Sequence, residues 1–160
     1  MMNIETERKF LVKDTSYKAE ATESHRLTQG YICKDSGRTV RVRLWDDRAV
    51  LTIKGPGSAS GMSRYEWEKE ISAEDARDLF LLCRDGIIDK TRHIVPADGK
   101  IFEVDEFHGE NAGLVMAEIE LASEDEEFTR PAWLGKEVTG DRRYYNSMLS
   151  LNPYSAWGKI

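Results

Sequence analysis

The chain has 160 residues, of which 40% are hydrophobic and 32% charged, and it carries a formal charge of −6. That length sustains one domain with a substantial core, expected over residues 1–160, and the charge excess is opposite to that of a general nucleic-acid binder while leaving room for a locally basic pocket. No apolar run reaches the length of a membrane span, and the first residues form no hydrophobic signal segment, so a cytoplasmic protein without membrane partners is expected.

Strand-like segments dominate from the start. The first covers 3–12, followed by 25–33, 38–46 and 48–54, with tight turns such as Asp46-Asp47 between them. Residues 55–61 read Gly-Pro-Gly-Ser-Ala-Ser-Gly, a mobile loop inside the domain that serves either as an ordinary connection or as a lid. A fifth strand is expected over 64–72. A helix follows over 72–86, with Ser72 as N-cap, acidic residues in its first turn and Gly86 as its stop. Strands at 87–95, 100–108 and 113–122 complete a set of eight, and a second helix is expected over 139–152. Eight mostly antiparallel strands with few helices indicate a mainly β, α+β fold closed into an eight-stranded barrel. Cys33 and Cys83 have no metal-type spacing and are expected as free buried thiols, and His25, His93 and His108 are too scattered to read as ligands.

Side chains alternate across a strand, so residues two apart share a face. On that basis Glu5, Glu7 and Lys9 form one row, Arg41 and Arg43 another, and Lys54 shares a face with Thr52. Glu66, Glu68 and Glu70 lie opposite Tyr65, Trp67 and Ile71; Lys90 pairs with Arg92, Glu103 with Asp105, and Glu118 with Glu120. Any one of these rows is the ordinary wet side of an antiparallel sheet. Together they are not ordinary, because the signs segregate: basic pairs at 41/43 and 90/92, acidic pairs at 66/68 and 118/120. Like charges two apart on one face repel unless an opposite charge lies between them. A barrel with these faces turned inward and its apolar outer face covered by helices accounts for the pattern, and eight strands enclose room for one small ligand. The ligand that best offsets the desolvation of so many charges is a triphosphate with Mg2+ or Mn2+.

These motifs, in this order, make the sequence resemble the CYTH, or triphosphate tunnel metalloenzyme, family. The Glu-x-Glu-x-Lys signature is Glu5-Thr6-Glu7-Arg8-Lys9, the Arg-x-Arg strand is Arg41-Val42-Arg43, and Lys54, Glu66/Glu68, Lys90-Thr91-Arg92, Asp105 and Glu118/Glu120 follow. The match runs from residue 3 to about 149, and the stretch GKEVTGDRRYYN near the C-terminus is similar to small bacterial members. The resemblance implies an eight-stranded tunnel and metal-dependent chemistry on a small-molecule triphosphate.

In that reading Lys9, Arg41, Arg43, Lys54, Lys90 and Arg92 bind phosphate oxygens, and Glu5, Glu7, Asp105, Glu118 and Glu120 hold Mg2+ or Mn2+. Glu66 and Glu68 either complete a second metal site or fix the basic residues, and Lys90 activates water or protonates the leaving group. Tyr31 is placed near the tunnel mouth, and Arg142 or Arg143 offers one more phosphate contact. Inorganic triphosphate hydrolysis is the expected reaction, since no insert suited to reading a nucleobase is visible. Adenylate cyclisation is the runner-up, thiamine triphosphate or another organic triphosphate is a further alternative, and a non-catalytic polyphosphate-binding module is the competing class. The sequence leaves monomer and homodimer equally open.

Overall fold

A computed structural model describes residues 3–35 and 37–158. Its strands are β1 (Ile4–Val12), β2 (Glu23–Asp35), β3 (Arg38–Trp45), β4 (Arg48–Gly57), β5 (Ser63–Ile71), β6 (Ile88–Ala97), β7 (Lys100–Phe107), β8 (Val115–Glu120) and β9 (Leu134–Glu137). Three short helices, α1 (Tyr17–Glu20), α2 (Ala73–Phe80) and α3 (Asn146–Leu149), accompany them. The sheet order is β5-β4-β3-β2-β6-β7-β8-β1-β9, and β5 also pairs with β1, which closes eight antiparallel strands into a barrel. Closure is brief, with Ile4 opposite Tyr65, Glu5 opposite Arg64 and Thr6 opposite Ser63. Beyond that point β9 takes over the same edge of β1, with Phe10 opposite Glu137.

Local chemistry sets the turns. Asp98 (φ 49°) and Gly99 (φ 78°) both adopt the left-handed conformation that a two-residue hairpin turn requires. Ser72 caps α2 as expected, its hydroxyl accepting from the Asp75 amide at 3.0 Å, but the helix ends at Phe80 and not at residue 86. The second expected helix, 139–152, is also shorter. A 3-10 turn at Arg142–Tyr144 precedes the single turn of α3, because Tyr145 between them is extended at ψ 134°. The glycine-rich segment is not wholly a loop. Gly55 to Gly57 continue β4, and only the tip remains, where Ser58, Ser60 and Ser63 hydroxyls donate to the Glu124 carboxylate at 3.3, 2.8 and 2.7 Å.

Three apolar clusters hold the barrel. Outside, Phe10, Phe102, Val104, Ala117 and Ile119 are covered by Trp133, Leu134 and Tyr17, while Val42 and Ala49 lie beneath Ala76 of α2. Inside one end, Ile88, Phe107, Met116 and Tyr31 join Leu114 and Leu149 to form an apolar plug, so the interior is charged only over part of its length. The expectation that helices cover the whole outer face is also corrected. Ile4, Ile53 and Trp67 remain exposed on β1, β4 and β5, away from the Val42–Ala49 patch that α2 covers. Cys33 and Cys83 are free but half-buried. Among the described residues no helix is long and apolar enough to cross a membrane.

Candidate active site

Strand parity puts the segregated charges in one channel. Antiparallel register sets Lys9 opposite Glu118, Glu7 opposite Glu120, Arg92 opposite Asp105 and Lys54 opposite Glu66, all with inward side chains. A cavity of about 260 Å³ is bordered by Lys9, Arg64, Lys90, Arg142, Tyr145 and Asn146 among others, and a second of about 220 Å³ by Trp45, Glu66, Glu68, Glu103 and Glu120. Both are lined by Glu5, Glu7, Arg41, Arg43, Lys54, Arg92 and Glu118, which makes them two reaches of one channel. The first reach is rich in cations and the second in carboxylates.

The cations in the middle are incompletely neutralised. Arg41 is 9% exposed and its Nε has no hydrogen-bond partner, while its Nη2 donates to the Thr52 hydroxyl at 3.2 Å. Arg43 donates only to Gln29 Oε1 at 2.9 Å, and burial together with Arg41 and Arg92 pulls its guanidinium down to about 9. Lys54 lies 3.0 Å from Glu5 and 3.3 Å from Glu66. Glu68 accepts from Thr52 at 2.9 Å and lies 3.7 Å from Arg41, so Glu66 and Glu68 contact the basic residues directly.

Lys90 and Arg92 share one carboxylate, and Arg92 Nη1 also donates to Glu103 at 3.2 Å. Asp105 accepts from Arg92 Nε at 2.8 Å and Nη2 at 2.9 Å, and its Oδ2 lies 2.8 Å from Lys90 Nζ. Burial opposes the charge on Asp105, but Arg92 and Lys90 outweigh it and hold the carboxyl at about 2. Asp105, expected as a metal ligand, has both its oxygens engaged by these cations and borders neither reach of the channel. Lys90, 1% exposed, is lowered to about 7 by burial, aided by Arg92 and Arg43 and opposed by Asp105.

The remaining acids crowd one another. Burial and then Glu118 push Glu7 well above the usual carboxylate range. Glu118 lies well below that range, since Lys9 and Arg92, with a hydrogen bond from Glu7, overcome its burial. Glu5 and Glu120 are raised, each chiefly by burial. Carboxylates crowded in this way are suited to sharing a hard divalent cation, which favours oxygen donors. Among the described residues no three acidic, histidine or cysteine side chains converge around one point. That spacing suits an ion held by one or two carboxylates with water and substrate phosphates completing its shell.

Tyr31 is buried within the apolar plug and also borders the cation-rich reach, accepting from Gln29 Nε2 at 3.0 Å. Of the arginine pair, Arg142 faces the channel, whereas Arg143 turns outward to Asp141 at 2.7 Å and lies over Tyr144 and Trp157. Of the two expected positions, only Arg142 borders the channel. Sequence reasoning missed Gln29, Arg64 and Asn146. Arg64 shares the face of Glu66 and Glu68, and Gln29 that of Tyr31, so strand parity was the available signal for both. Asn146 lies on a single helical turn and had none.

A closed antiparallel barrel lined with segregated charge defines a tunnel-type protein with a charged interior. The chain belongs to the CYTH domain family, whose model matches residues 3–151. It is 46% identical to an inorganic triphosphatase of Acetivibrio thermocellus over 154 residues, covering 96% of this chain and 97% of that one. It is 35% identical to an inorganic triphosphatase of Nitrosomonas europaea over 153 residues, covering 92% and 97% respectively. A solved structure of the inorganic triphosphatase NE1496 superposes with a TM-score of 0.66 at 32% identity, over 94% of this chain and 96% of that one.

Proposed function

We propose that the protein hydrolyses inorganic triphosphate to pyrophosphate and phosphate, with Mg2+ or Mn2+ as cofactor. The observation that carries this reading is the buried cationic group of Arg41, Arg43 and Arg92, in which Arg41 Nε lacks a partner and Arg43 lacks a carboxylate. A polyanion supplies the missing acceptors, and fixed guanidinium groups are matched to phosphate oxygens. The two curated relatives named as inorganic triphosphatases lend the substrate its identity.

In this reading Lys9, Lys54, Arg41, Arg43 and Arg92 hold the phosphate chain, and Arg64 and Arg142 border its approach. Glu5, Glu7, Glu118 and Glu120 would hold the metal, one or two of them directly and the others through water, while Glu66 and Glu68 keep Lys54 and Arg41 in position. A metal held there would neutralise phosphate charge and acidify a water molecule. Lys90, lowered to about 7, takes a proton from the attacking water as its oxygen bonds to the terminal phosphorus. The bridging P–O bond breaks, and the electron pair leaves on pyrophosphate. Arg41, Arg43 and Arg92 stabilise the charge that spreads over the phosphate oxygens at that moment.

The test is incubation with tripolyphosphate, ATP or thiamine triphosphate in the presence of Mg2+ or Mn2+, and after chelation. Phosphate and pyrophosphate from tripolyphosphate, lost with chelator, are expected. Cyclic AMP from ATP with little phosphate from tripolyphosphate overturns the assignment.

A further inference from the structure

Lys90 has a second partner besides Asp105, and it comes from the C-terminal segment. Asn146 Oδ1, on α3, accepts from Lys90 Nζ at 2.7 Å. The same oxygen accepts from Gln29 Nε2 at 3.2 Å, while Gln29 Oε1 accepts from Arg43 Nε at 2.9 Å. Gln29 is completely buried on β2, and its Nε2 also donates to the Tyr31 hydroxyl at 3.0 Å. One amide side chain therefore ties a phosphate-facing arginine of β3 to the asparagine that grips the Lys90 amine of β6. The arrangement requires both ends of an amide. A carboxylate at position 29 still accepts from Arg43 but has no N–H for Asn146 or Tyr31.

We infer that Asn146 and Gln29 are positioning residues for hydrolysis, fixing the Lys90 amine relative to the phosphate-binding Arg43 and making the C-terminal turn α3 part of the catalytic apparatus. Asp105 alone holds Lys90 from the β7 side, where Arg92 shares the carboxylate. Asn146 holds it from the cavity side, since both Lys90 and Asn146 border the cation-rich reach. Lys90 has a long flexible stem, and two acceptors from different elements confine its amine to one place. A buried, satisfied polar network of this kind specifies one arrangement of its members. A proton acceptor displaced by about 1 Å loses rate on the order of 10²-fold, while substrate held by other residues binds as before.

The inference rests on the reading of Lys90 as proton acceptor, and the experiment separates the two. Steady-state hydrolysis of tripolyphosphate with Mg2+ is measured for wild type, Asn146→Ala, Gln29→Glu and Lys90→Ala. A fall in kcat of about 10²-fold for Asn146→Ala and Gln29→Glu, with KM within about threefold of wild type, is expected. A raised KM with unchanged kcat, equal changes in both, or no change overturns the inference, because Asn146 then merely lines the cavity. Introduced into Lys90→Ala, Asn146→Ala is expected to add no further loss of the residual rate, and an additional loss of similar size is equally adverse. Full kcat in Lys90→Ala itself overturns the role of Lys90 instead. Asn146→Ser, which stays polar but whose shorter side chain draws the acceptor away from Lys90, replaces Asn146→Ala if that variant does not fold, with the same outcomes.

Discussion

Lys90 and Asp105 meet at 2.8 Å with both side chains almost wholly withdrawn from solvent, and Arg92 grips the same carboxylate at 2.8 and 2.9 Å. The pairing keeps two cations beside one another on β6 while leaving the lysine easier to deprotonate than an exposed one, because burial outweighs its single shared anion.

A pH dependence of kcat follows. Lys90 accepts a proton only as the neutral amine, and its value is lowered from 10.5 to about 7. With metal saturating, kcat for tripolyphosphate is expected to rise as pH passes through about 7 and then level off. A profile still climbing steeply above pH 9 contradicts this assignment.

Asp105 also contributes to stability. Its folded value of about 2 lies below the unfolded value of about 3.9. Its contribution is therefore full above pH ~4 and disappears as pH falls toward 2. Asp105→Ala leaves Lys90 and Arg92 without their shared counter-charge and is expected to cost about 3–5 kcal/mol at neutral pH, read by denaturant unfolding. The difference between variant and wild type should shrink between pH 4 and pH 2.

Arg64 and Arg142 border the channel with no carboxylate within salt-bridge distance among the described residues, whereas Arg143 pairs with Asp141 away from it. Arg64→Gln and Arg142→Gln are each expected to lower kcat/KM for tripolyphosphate by about tenfold at low salt, with the difference narrowing as salt is added. Arg143→Gln should change it little. Equal effects at all three positions, insensitive to salt, rule out steering by the channel-facing pair.

Gly61 has φ +77°, and a Cβ there stands 2.7 Å from the Cα of Gly140. Gly61→Ala combines left-handed backbone strain with a backbone clash, and is expected to destabilise by about 1–3 kcal/mol. Thermal unfolding with and without tripolyphosphate measures it. An unchanged midpoint means that the β4–β5 tip and the 139–140 turn separate at little cost.

Much of the site was legible before folding because alternation is a property of the extended backbone. Glu5, Glu7 and Lys9 share a face on any strand, as do Arg41 with Arg43 and Glu118 with Glu120, and like-signed rows are costly unless they face a common ligand. The strand β9 at Leu134–Glu137 was not expected, but the eight barrel strands and the Ser72 cap were legible for the same local reason. Closure, neutralisation and reach were not, since they depend on residues distant in the chain. Only the barrel brings Asp105 against Lys90 and Arg92 and engages both its oxygens. Only the turn at 142–145 decides that Arg142 and not Arg143 meets the channel, and only the packing of α3 against the apolar plug carries Asn146 to Lys90. A strand's pattern determines which way its side chains point, while the register and closure of the sheet determine what they meet.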